Sequence, residues 1–256
     1  MARNNATPDR RAVIADLQRK NKRQDLIRNW GIVGACVIIS IALLWIPVAH
    51  LWKAKNPSYQ KYDNTALQNI GASPQAASCG AITTLASNGH THVTYPNPVQ
   101  YSTAPPAFGN HWNVAGVAPV AMQRKFYTTA DRPPLEALVH NLEHGYTILW
   151  YDATISGDAL DQVHAIANKF AGTADFRDKF IAVPWTSADE ASLAKTAKPK
   201  TFPTGTHIAL THWETGADGT GWGPGVFQYC GGVSGQAVKN FMQAYPYTNS
   251  PEPPNM

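Results

Sequence analysis

From Asn29 to Trp52 the sequence runs without an Asp, Glu, Lys or Arg and is rich in Ile, Val, Leu and Ala. About 20 apolar residues carry a helix across a bilayer's hydrocarbon core, so this stretch reads as a transmembrane helix. Trp30 marks one end and Trp45 and Trp52 the other, as interfacial aromatics do. Pro47 lies near the far end, where a kink is tolerated. The apolar run exceeds the 7–15 residues usual in a secretory leader, and no small-x-small cleavage site follows it closely, so a retained anchor is expected.

Charge sets the expected orientation. Before the run stand eight basic residues, Arg3, Arg10, Arg11, Arg19, Lys20, Lys22, Arg23 and Arg28, against Asp9, Asp16 and Asp25. That segment alone carries +5, while the whole chain carries +4, so the remainder sums to −1. The basic character therefore belongs to the tail. Basic residues flanking a membrane span stay in the cytoplasm, which puts everything after Lys53 outside. A near-neutral outer domain gives no reason to expect nucleic-acid binding. The expected organisation is a cytoplasmic tail (1–28), a membrane helix (29–52), a polar linker (53–75), a globular extracytoplasmic domain (76–246) and a Pro-rich disordered tail (247–256). The expected partners are the bilayer, through residues 29–52, and a membrane protein beside it.

Of the three cysteines, Cys36 lies in the apolar run and reads as a small apolar residue. Cys79 and Cys230 fall in the outer domain, and an oxidising compartment predicts a disulfide between them. Two thiolate metal ligands are the competing reading.

Elements sharpen after residue 130. Asp131-Arg132-Pro133-Pro134 opens a helix continuing from Leu135 to His144, with Gly145 placed to stop it as a left-handed cap. Tyr146–Tyr151 reads as a strand, Ser156–Phe170 as a helix, Phe180–Trp185 as a strand, Ala188–Thr196 as a short helix and His207–Trp213 as a strand. Ser234 caps a last helix presenting Val238, Phe241 and Met242. Upstream, Thr91–Tyr95 and Val99–Ser102 look strand-like between turns. The pattern predicts an α+β domain, with helices packed on a small mixed sheet.

Nine histidines stand out. His140 and His144 are four apart on the expected helix, so both imidazoles share one face and can meet one metal ion. Glu143 between them completes a His-x-x-Glu-His spacing, in which the glutamate of inverted zinc peptidases is the general base. Glu214 is the downstream candidate for a third ligand. The same residues can also serve structure alone, since a protonated His144 at a helix C-terminus gains about 0.3–1 kcal/mol from the dipole when exposed. His90 alone reads as an ordinary loop histidine. His207 and His212, five apart on a strand, should face opposite sides.

Three stretches resemble a known family. Pro105-Pro106-x-x-Gly109-Asn110-His111-Trp112, then Leu138-Val139-His140-Asn141-Leu142-Glu143-His144-Gly145-Tyr146, and upstream Gly89-His90-Thr91-His92-Val93, are similar to the bacterial domain of unknown function 3105. Ala209–Trp213 resembles a strand of the same family, with His212 as a departure. Tyr127 is another departure, where many members carry a cysteine nearby. The likeness covers roughly residues 76–215. It implies a membrane-anchored or exported protein, of a kind frequent in actinobacteria, with His92, His111, His140, Glu143 and His144 forming a joint site. It implies no reaction.

The expected function is thus an extracytoplasmic accessory or binding domain with a metal site at His92, His111, His140 and His144. Imidazole ligands suit copper or zinc alike. A metal-dependent hydrolase with Glu143 as base is the alternative. An interaction subunit of a larger membrane complex is a third, in which Trp112, Trp150, Trp185, Trp213 and Trp222 fill the core or an interface.

Overall fold

The computed structural model describes residues 10–55, 57–172, 175–219 and 221–253. The expected tail and disordered C-terminus lie partly outside them, at 1–9 and 254–256. The chain divides into two units, Met1–Ser58 and Tyr59–Met256.

The first unit is one helix, α1 (Arg10–Lys55), of 46 residues. At 1.5 Å per residue it extends about 70 Å, over twice the hydrocarbon core, so its basic first half lies beyond any bilayer that its apolar half crosses. Its large apolar side chains are exposed around the whole helix, Ile38 and Leu44 by 70% and 69%. Such a surface calls for an apolar environment. Among the described residues α1 is the one helix long and apolar enough to cross a membrane, which fits an anchor or a signal sequence.

The second unit is α+β, as the sequence predicts. Its strands are β1 (Thr83–Leu85), β2 (Thr147–Tyr151), β3 (Phe180–Pro184), β4 (Ile208–Thr215) and β5 (Trp222–Cys230). They form one sheet in the order β1-β5-β4-β2-β3, with β2 and β3 parallel and the other pairs antiparallel. Both faces are covered, so β2 and β3 are buried at every position and read as unbroken apolar runs. Ile148, Trp150, Ile181, Val183 and Trp213 point to one face, against α2 (Leu135–Glu143) and the irregular segment around Tyr101–Tyr127. Leu149, Phe180, Ala182 and Leu210 point to the other, against α3 (Gly157–Asn168) and α5 (Gly235–Ala244). The short α4 (Ser187–Ser192) is opened by Thr186, whose hydroxyl accepts from the Asp189 amide in a capping box. Arg132 grips Asp189 with two nitrogens, at 3.0 and 2.7 Å, tying the entry of α2 to α4. Cys79 and Cys230 are disulfide-bonded, closing the unit from its start to the end of β5.

Three expectations differ from what is observed. Of residues 53–75, read as a linker, Lys53–Lys55 continue α1, while Tyr59 onward packs on the globular unit. Tyr62 donates to Asp158, and Ile70 is fully buried; their irregular spacing left no periodic signal. The strand-like pieces at 91–95 and 99–102 reduce to one bridge, His92 to His111. Pro96 and Pro98, which lack an N–H, interrupt any ladder there. Strand β5 has no counterpart among the expected elements; it begins Trp222-Gly223-Pro224-Gly225, without a strand's apolar alternation. A Cβ at Gly225 would come within 2.3 Å of the Phe108 ring, so close packing, not a turn, requires that glycine.

Candidate metal centre

Helix α2 sets the site. All nine of its residues are buried, so its polar side chains must find partners inside the protein. His140 and Glu143 come from its last turn, and His144 follows as its C-cap. Gly145 then turns the chain with φ +86°, and β2 begins two residues later.

The loop before α2 brings His111, and the bridge beside it brings His92. The Val93 amide donates to His111 O at 2.8 Å and the His111 amide to Thr91 O at 3.1 Å. Asn110 Oδ1 accepts from the Thr91 amide at 2.9 Å. One ligand atom each from His92, His111, His140 and Glu143 lies within 4.8 Å of the others. Ligands at about 2.0–2.2 Å from one ion stand at most about 4.4 Å apart, so this group needs only a small inward shift of its side chains to close on a metal. His111 is fully buried, and Glu143 is 2% exposed at its side chain, but His92 is 48% exposed and opens the group to solvent. Glu143 Oε2 stands 3.0 Å from His111 Nε2 and 3.7 Å from His92 Nε2. Its Oε1 accepts from Trp222 Nε1 at 2.7 Å, and the Trp222 ring stacks on His90 at 3.8 Å between centroids.

The tautomers follow from the partners. His111 Nδ1 lies 2.8 Å from Gly109 O, His140 Nδ1 2.5 Å from Trp112 O and His144 Nδ1 3.0 Å from Glu252 O. A carbonyl only accepts, so in each neutral ring Nδ1 carries the proton and Nε2 is left with a lone pair. Two of those lone pairs face each other, His140 Nε2 and His144 Nε2 at 2.9 Å, while His111 Nε2 stands 3.0 Å from the Glu143 carboxylate, to which it donates when it carries a proton. The His140–His144 contact is repulsive without a cation between the two nitrogens. Imidazoles fixed through Nδ1 with Nε2 convergent are the arrangement of metal-ligating histidines.

A proton is the other cation available, and burial works against it. Burial, then the charge of His111, lowers the His140 pKa to about 4. Burial lowers that of His144 as well. Glu143 behaves oppositely: burial alone would raise its carboxyl, but the hydrogen bonds from His111 and Trp222 bring it down to about 2, so it is ionised at neutral pH.

The sequence-predicted residues come together as follows. His92, His111, His140 and Glu143 form one group; His144 touches His140 but forms a second group with Glu143 and Glu252. Glu214 is in neither group and accepts from Asn249 Nδ2. His212 is buried between Tyr146 O and Asn249 O, and His207 pairs with Asp152. Trp222 and Glu252 were not legible as site residues. Trp222 sits in a glycine-rich stretch and Glu252 in a Pro-rich one, neither with a spacing that points at α2.

An α+β domain with a buried histidine–carboxylate cluster, preceded by a helix apolar enough to cross a membrane, is the class of protein that fold and site define. Within that class the chain belongs to the family described as a protein of unknown function, DUF3105, whose model matches residues 92–255. The match takes in every residue of both ligand groups. No curated protein matches the chain, and no solved structure does.

Proposed function

We propose that the globular unit binds a transition-metal ion through His92, His111, His140 and Glu143, with His144 beside them, and works as an accessory or binding domain outside the cytoplasm, held by α1. The observation that carries this reading is that the rings of His111, His140 and His144 are each fixed by an Nδ1–carbonyl hydrogen bond, with the Nε2 atoms of His140 and His144 facing each other at 2.9 Å as two acceptors. A neutral site of that kind lacks the positive charge its acceptors face, and a metal ion supplies it. Three imidazoles and a carboxylate suit zinc or copper. The half-exposed His92 leaves the ion open to an incoming ligand. Glu143 stands among the ligand atoms themselves, which favours a ligand role over that of a general base.

The location rests on two supports. The basic residues precede the apolar run, and the disulfide suits an oxidising compartment. The binding test is titration of the full, detergent-solubilised, metal-stripped chain with Zn2+ and with Cu2+. The wild type should bind, and His111→Ala should lose binding by at least tenfold with its circular dichroism unchanged. Equal binding by both proteins would overturn the reading.

A further inference from the structure

The first ligand group leaves out His144, whose Nε2 faces that of His140. That contact, 2.9 Å between the two nitrogens, joins the first group to a residue of a second set of donors. One ligand atom each from Glu143, His144 and Glu252 lies within 4.8 Å of the others, and Glu143 belongs to both sets. We propose that the site is binuclear: a second divalent cation is held by His144, Glu252 and Glu143, with the Glu143 carboxylate bridging the two ions. This inference rests on the metal reading of the first group and extends it.

Several features place the second set. His144 is 5% exposed, and its Nδ1 proton is engaged with Glu252 O, so its lone pair sits at Nε2. The residue that supplies that carbonyl also supplies the carboxylate. Glu252 is positioned by its own backbone, since its amide donates to Glu143 O at 3.0 Å. The neighbouring Pro253 O accepts from the buried ammonium of Lys179 at 2.9 Å, and the same ammonium donates to His144 O at 2.7 Å. Lys179 therefore clamps the segment carrying Glu252 onto the end of α2, with its charge directed at carbonyls. Glu143 is common to both sets; its Oε2 faces His111 and His92, and its Oε1 accepts from Trp222. Carboxylate-bridged pairs of this kind hold ions about 3.5–4 Å apart and clamp a substrate oxygen between them. The expected ligand of the loaded site is accordingly an oxyanion or a metal-bound oxygen donor.

The test is stoichiometry. The full chain in detergent is stripped, equilibrated with Zn2+, freed of excess and analysed for zinc per polypeptide. The expectation is two zinc ions in the wild type and one in Glu252→Gln. One ion in the wild type would overturn the second position and leave the first standing; none would overturn both. Two ions in Glu252→Gln would overturn the assignment of Glu252. Should that variant fail to fold, the wild-type count decides the matter alone.

Discussion

Acidifying the metal-free chain should destabilise it, and His140 contributes a definable part of that loss. Its imidazole protonates near pH 4 in the fold, because burial and the nearby His111 disfavour the charge, against an ordinary 6.5. Between those values the unfolded chain binds the proton and the folded chain does not, so the stability associated with the neutral ring is complete above about pH 6.5 and is lost as pH falls toward 4. At about 1.4 kcal/mol per pH unit the gap amounts to about 3 kcal/mol. Burial displaces His144, His164 and His212 in the same direction, so the wild-type curve sums several groups. Glu143 acts lower: its carboxyl, brought to about 2 by His111 and Trp222 against the opposing effect of burial, contributes stability present above 4.5 and lost as pH falls toward 2. Urea denaturation with chelator present, at steps from pH 8 to pH 4, measures the total; the difference between wild type and His140→Gln isolates His140. The variant should show about 3 kcal/mol less pH dependence between 6.5 and 4. Identical pH dependence in the two proteins would refute the tautomer and burial reasoning on which the site rests.

Trp222→Phe removes the N–H that Glu143 Oε1 accepts, and leaving that buried oxygen without its donor should cost the metal-free fold about 1–3 kcal/mol in urea denaturation. Gly145→Ala places a Cβ 2.3 Å from Tyr247 O at a left-handed φ, so it should destabilise by at least about 1–3 kcal/mol in a thermal or urea melt and loosen the C-terminal segment. Opening the Cys79–Cys230 link, which closes 151 residues, should cost up to about 5 kcal/mol in the chain-entropy model. Without reductant only Cys36 should react with maleimide in denaturant, and all three cysteines should react after reduction.

Much of the second unit was legible because periodicity and capping agree there. The buried runs of β2 and β3, the Ser234 cap of α5 and the Gly145 stop of α2 are local signals, and each element forms within a residue or two of its expected bounds. The helical spacing of His140 and His144 likewise gave their shared face. Tertiary contacts were not legible. His92 meets His111 through a single bridge between two irregular segments. Glu252 reaches the site because Lys179 and His144 hold a Pro-rich segment that by composition should be free. Tyr62 and Ile70 join the core from a stretch without a regular pattern, and β5 hides behind glycines that exist to admit Phe108.

X-ray absorption at the zinc edge of the loaded full chain tests the central claim most directly. The account predicts only nitrogen and oxygen neighbours, at about 2.0–2.2 Å, with the outer-shell scattering of several imidazole rings. Protein that takes up no zinc, or zinc surrounded by oxygen with no imidazole signature, would contradict it.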